Sequence, residues 1–151
     1  MLDHATGMPF LDAREDFARA RRAQVAARAV GWLRRGSRPA ALRTPPEASG
    51  LPWGAPRLRV IPLDEIVGSV EPTPAFDARF RPASDLVRTR WVRIALAHRR
   101  GIALPPISVV GHADGYYVVD GRHRVSVARA LGHLEVSAWV THVARPLRCA
   151  A

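Results

Sequence analysis

At 151 residues the chain is long enough for one domain with a core of its own and too short for two. Its 23 Lys+Arg against 13 Asp+Glu give a formal net charge of +10, which draws a protein toward nucleic acid, nucleotides or acidic membrane surfaces. All of these cations are arginine, and the chain holds neither Lys nor Asn, so GC-rich codon usage accounts for the bias as well as selection for an anionic ligand does. The one cysteine, Cys149, excludes an internal disulfide and a multi-cysteine metal site.

The first ten residues carry neither a basic n-region nor an apolar h-region, and no later run reaches membrane-spanning length. A cytoplasmic protein with no membrane partner is expected. From Asp12 to Arg35 only Gly31 interrupts helix-forming residues. Phe17, Val25, Trp32 and Leu33 form an apolar stripe among many arginines, so residues 1–36 read as a basic amphipathic helix able to dock DNA or a partner, or simply to lie solvated. Five prolines and three glycines between Gly36 and Pro56 break regular structure, and 37–56 reads as a linker.

The compact domain is expected over 57–143, with 144–151 as a tail. Arg57–Ile61 alternates as a strand, and Leu63–Val67 reads as a helical turn that ends at Gly68. Ser84 or Asp85 can cap a helix over about Leu86–Arg100, with Trp91, Ile94, Ala95 and His98 on one face and Gly101 as its stop. Pro105-Pro106 introduces a β-hairpin, Ile107–Val110 and Tyr116–Val119, joined through Asp114-Gly115. A helix over about His123–Leu131 follows, and Leu134–Val140 alternates as the last strand. The second hairpin strand, this helix and the last strand form a β-α-β arrangement whose pairing is left open. The fold class is α/β (α+β): a small mixed sheet with packed helices, preceded by the N-terminal helix.

The stretch that points to chemistry is Val118-Val119-Asp120-Gly121-Arg122-His123-Arg124-Val125-Ser126-Val127-Ala128. A strand that ends in an acidic, glycine-containing turn and feeds a helix with basic first residues can present backbone N–H groups and guanidinium groups to one phosphate. Gly121 lets the backbone approach closely. Asp120 can hold Mg²⁺, accept a proton from a hydroxyl or cap the helix. His112, His123, His133 and His142 do not repeat a ligand spacing that would place two of them one helical turn apart on a metal.

This strand-DGRHR-helix arrangement, preceded by a hairpin and two prolines, resembles the ParB N-terminal/sulfiredoxin superfamily over about residues 57–143. Ile66–Val70 and Phe76–Pro82 look like a group of small, stand-alone bacterial ParB-N-like proteins. The resemblance implies a nucleotide or phosphate ligand, CTP or ATP/ADP with Mg²⁺, at Gly121, Arg122, His123 and Arg124. A sulfiredoxin reaction is not expected, because Arg122 stands where that branch places its catalytic cysteine. Partitioning proteins carry a GERR-like motif here, matched only by Gly121 and Arg124, and the eight residues after Val143 are too few for their DNA-clamping domains.

A third branch, kinases of free serine, is matched at Asp120, Gly121, His123 and Arg124. It implies a phosphotransferase in which Asp120, or an upstream acid among Glu65, Glu71 and Asp77, serves as base. The expectations are therefore a ParB-N-like nucleotide-binding module associated with DNA through its Arg-rich first helix, a small-molecule phosphotransferase, or an interaction module without enzymatic activity. Oligomeric state is not legible.

Overall fold

The computed structural model describes residues 7–35, 41–46, 52–71 and 73–143. The expected tail with Cys149 and the middle of the expected linker lie outside the described residues.

Helix α1 runs over Pro9–Arg35, with Pro9 in the first turn, where its missing N–H costs nothing. The helix buries Ala13, Phe17 and Ala20, together with Asp12, Asp16 and Gln24, a stripe at helical spacing. Phe17 meets the Trp91 ring edge-on, with centroids 5.5 Å apart. Asp16 accepts from Arg99 through both carboxylate oxygens, at 2.7 and 2.9 Å. The expected apolar stripe is thus correct only at Phe17: Val25, Trp32 and Leu33 are exposed, because the helix past Gln24 meets no described partner.

Strand β1, Pro52–Pro62, begins inside the expected linker. Its prolines are tolerated because it lies at the border of the sheet, and its register against β5 shifts between Trp53 and Arg57. A 3₁₀ turn, Leu63–Glu65, leads directly into β2, Ile66–Ser69. The expected helical turn is real, but the strand after it corrects the reading that extended it to Val67.

Ser84 caps the next element by accepting from the Leu86 N–H at 3.2 Å. A 3₁₀ turn, Asp85–Val87, then passes into α2, Arg88–Arg99. Trp91 and Ala95 are buried as expected, with Ile94 partly so. Strands β3, Ile107–His112, and β4, Gly115–Asp120, form the hairpin. Helix α3, Arg122–Ala130, and β5, Glu135–Val143, complete the chain.

The sheet order is β1-β5-β3-β4-β2. β1 and β5 are antiparallel, β5 and β3 parallel, β3 and β4 antiparallel, and β4 and β2 parallel. The pairing left open for β4-α3-β5 is settled by β3, which lies between the two strands. Val125, Val127 and Ala128 of α3 and Trp91, Val92 and Ala95 of α2 share one core with Ile61, Ile107, Val109, Val118, Ala138 and Val140 of the sheet. Trp91 Nε1 donates to Ser126 Oγ at 2.8 Å inside that core, joining the two helices. No helix among the described residues is long and apolar enough to cross a membrane.

Candidate phosphate site at the start of helix α3

β2 and β4 run parallel, and the chain leaves both at the same end of the sheet. Carboxyl ends of parallel strands are where α/β sheets leave room for ligands. Here β4 ends at Asp120, and Gly121 turns the chain into α3 with φ 108°. A side chain at Gly121 would be strained at this φ, and its Cβ would also fall 2.5 Å from Ile107 Cγ2. The turn therefore needs glycine for two independent reasons.

No side chain caps α3, and the first helical hydrogen bond is Val125 N–H to the Gly121 carbonyl at 3.0 Å. The N–H groups of Arg122, His123 and Arg124 consequently lack an intrahelical acceptor and mark the positive end of the helix dipole. Asp120 does not cap the helix. Its carboxylate, 65% exposed, pairs instead with Arg124 one turn ahead, at 2.6 Å.

The two arginines of the motif have different surroundings. Arg124 points back under the turn: its Nη1 donates to the carbonyls of Pro105 and Pro106 at 2.6 and 2.8 Å, and its Nη2 to Asp120. Its hydrogen-bonding capacity is largely committed to holding the β3 entry against α3. Arg122 reaches sideways to the end of β2, donating to Ser69 Oγ at 3.3 Å and to the Glu71 carboxylate at 3.3–3.4 Å. Ser69 is buried and itself donates to the Val118 carbonyl at 3.0 Å, so this anchor is rigid. Glu71 is 73% exposed, and its long contacts to Arg122 are of the kind a stronger anion displaces.

His123 packs edge-on against Phe76, with centroids 5.1 Å apart. Burial, reinforced by the nearby Arg90 and Arg122 charges and only partly offset by Asp120, pushes its imidazole down to about 4. The ring is therefore neutral at physiological pH, able to donate from one nitrogen and to accept at the other.

Of the three upstream acids, only Glu71 joins Asp120. Glu65 precedes β2, and its carbonyl lies against Gly115 at the start of β4, so a strand length of roughly 15–20 Å separates it from the turn. Asp77 is buried and fully engaged: it accepts from the backbone N–H groups of Arg79 and Arg81 at 3.0 Å each and from Arg81 Nε at 2.8 Å. Neither can serve as a base at Asp120. No family model, curated protein or solved structure matches this chain.

Ser69, Phe76 and Arg90 are the site residues to which sequence reasoning gave no role. Ser69 and Phe76 stood inside stretches that carried the resemblance, whereas nothing distinguishes Arg90 from the other arginines until α2 is laid beside α3. The larger cavity, about 1110 Å³ between α1, the 79–82 turn and the far end of α3, is built differently. Three of its four arginines already serve the fold: Arg129 donates to the Leu63 and Ile66 carbonyls and lies over the Phe80 ring, Arg81 pairs with Asp77, and Arg19 pairs with Asp16.

Among the described residues no three His, Cys, Asp or Glu side chains gather as a metal cage. Asp120 and Glu71 are the acids available at the turn, and each is paired with an arginine, Asp120 with Arg124 and Glu71 more loosely with Arg122. That donor set suits an Mg²⁺ ion that arrives on a nucleotide and keeps most of its waters.

Proposed function

We propose that this chain is a ParB-N-like nucleotide-binding domain that takes the phosphates of a nucleotide, CTP or ATP/ADP with Mg²⁺, at the start of α3. The observation that carries the reading is the uncapped helix N-terminus behind Gly121, with Arg122 held beside it by a displaceable contact to Glu71. Three N–H groups and the dipole supply a preformed anion site, and Arg122 adds a charge-assisted contact. Neutral His123 can donate one further hydrogen bond. Asp120 and Glu71 would hold the nucleotide's Mg²⁺, whose role is to neutralise phosphate charge.

Arg122 and Arg124 give the reading its test. Isothermal titration with CTP, ATP and ADP in the presence of Mg²⁺ is expected to show binding of at least one nucleotide. Arg122→Ala should weaken that binding about tenfold or more while leaving unfolding by urea within about 1 kcal/mol of wild type. Arg124→Met should instead cost about 2–3 kcal/mol of stability, because two carbonyls and Asp120 lose their donor. Absence of heat with all three nucleotides, or binding indifferent to Arg122, overturns the proposal.

A second reading, phosphotransfer to a small hydroxyl compound, is favoured by the placement of Glu71. Arg122 brings this carboxylate to the α3 N-terminus, where a base could accept the hydroxyl proton while the helix start and Arg122 stabilise the transferred phosphoryl group. Nucleotide turnover that rises with an added alcohol and is lost in Glu71→Gln supports it. Turnover unchanged in Glu71→Gln removes Glu71 as the base.

A further inference from the structure

The helical surface beside the α3 site carries positive charge that the fold does not use. α1 and α2 pack side by side and leave a groove of about 390 Å³, with Phe10, Arg14, Arg88, Val92, Arg93 and Leu96 among its walls. No carboxylate lines it. Arg14 lies over the Phe10 ring at 5.9 Å and Arg88 over Phe17 at 5.8 Å, so aromatic contacts orient both guanidinium groups without neutralising them. Arg93 stands at the lip.

Arg90 and Arg93 are exposed and three residues apart, side by side on the outer ridge of α2. Among the described residues Arg14, Arg88, Arg90 and Arg93 form no ion pair. By contrast, the α1 arginines Arg19, Arg21 and Arg22 pair with Asp16, Asp85 and Glu15. Arg14, Arg88, Arg90 and Arg93 follow a line from the groove across α2 toward His123, whereas Arg28 and Arg34, which also form no ion pair among the described residues, lie apart on the second half of α1.

We propose that the α1–α2 groove and the ridge of α2 form a track for the phosphodiester backbone of a nucleic acid, bound without regard to base sequence. Planar guanidinium groups suit phosphate oxygens, and a run of them with no acid between suits a linear polyanion. The groove walls offer no Asn, Gln or acidic side chain for adenine or cytosine edges, and two of the three arginines lie over aromatic rings. An acidic membrane surface is the poorer fit. Binding there would engage the exposed apolar residues of α1, and Val25, Trp32 and Leu33 stand three or more turns along the helix from Arg14, away from the groove. The track meets the α3 site at Arg90 and is tested apart from the nucleotide reading through Arg14 and Arg93, which lie outside that site.

Fluorescence polarisation of a labelled 20-nucleotide DNA, single-stranded and duplex, between 50 and 200 mM salt tests the track. Four phosphate contacts predict a log–log salt slope of about −2.8 on the single strand and about −3.6 on the duplex, a loss of roughly 50-fold to 150-fold over that range. Arg14→Glu/Arg93→Glu is expected to weaken binding at least tenfold and flatten the slope by about 2, with the far-UV circular dichroism of the full chain unchanged. Arg93→Ala alone, at an exposed position, should flatten it by about 0.7–0.9. Nucleotide titration of Arg93→Ala should match wild type, so failure of the track and failure of the α3 site give different results. No polarisation change at 50 mM salt up to about 100 µM protein overturns the proposal. So does a charge reversal that leaves binding intact, or capture by vesicles of anionic phospholipid with none by DNA.

Discussion

Arg122 and Arg124 stand two positions apart at the start of one helix, and that spacing sends their side chains to different neighbours. Arg124 meets the Pro105 and Pro106 carbonyls, 19 and 18 residues earlier in the chain; Arg122 meets Ser69 and Glu71 at the end of β2. His123, between them, turns inward to Phe76 and carries a consequence for pH. Its imidazole is held at about 4 in the folded protein, against an ordinary value near 6.5 when unfolded. Between those two values the unfolded chain binds the additional proton, so stability is complete above about pH 6.5 and is lost as pH falls toward 4. Allowing for solvent screening, the loss is on the order of 1–2 kcal/mol. Urea unfolding at pH 7 and pH 4.5 should show it as a limb present in wild type and absent in His123→Gln. An equal pH dependence in both proteins would mean that His123 titrates normally.

At the scale of elements, the 76–82 turn positions the site from outside it. Asp77 gathers two backbone N–H groups and the Arg81 guanidinium. That network holds Phe80 at φ 60° with its ring fully buried, an uncommon conformation for a bulky residue. Asp77→Ala should cost about 3 kcal/mol in urea unfolding by leaving those donors unanswered. Loosening the turn also frees the adjacent Phe76, so the His123 imidazole should rise toward its ordinary value, read by NMR titration of its ring protons. An imidazole unmoved in Asp77→Ala would show that Phe76 is fixed by other contacts.

The elements with a local signature were legible in the sequence. The hairpin was announced by Asp114-Gly115 between β-branched runs, α2 by Ser84 and Gly101, and α3 by the acidic glycine turn. β2 was not, because Ile66–Ser69 is only four residues long and follows two acids that read as a helical start. The apolar spacing of Val25, Trp32 and Leu33 promised a partner that only tertiary packing could supply or withhold. Of the candidate site, the turn itself was legible. The division of labour between Arg122 and Arg124 was not, since the groups that decide it are backbone carbonyls and residues distant in the chain.

Across the whole molecule, α1 belongs to the domain's structure and is no detachable arm. Phe17 shares the core with Trp91, and Asp16 closes over Arg99. Phe17→Ala should therefore destabilise the entire chain by about 3–5 kcal/mol, seen as one shifted urea transition. A separate early transition confined to helix signal would show α1 unfolding by itself. The two borders of the sheet carry a further consequence. Along β1, Pro52, Pro56 and Pro62 have no N–H to offer an incoming strand. Beside β2 the Arg43 carbonyl already accepts from the Ser69 N–H at 2.9 Å, and it lies so close to Gly68 that no side chain fits between them. Both margins therefore discourage strand addition, a protection against edge-to-edge aggregation to which Pro52 and Pro56 contribute, the same two prolines that disguised the first residues of β1 as linker.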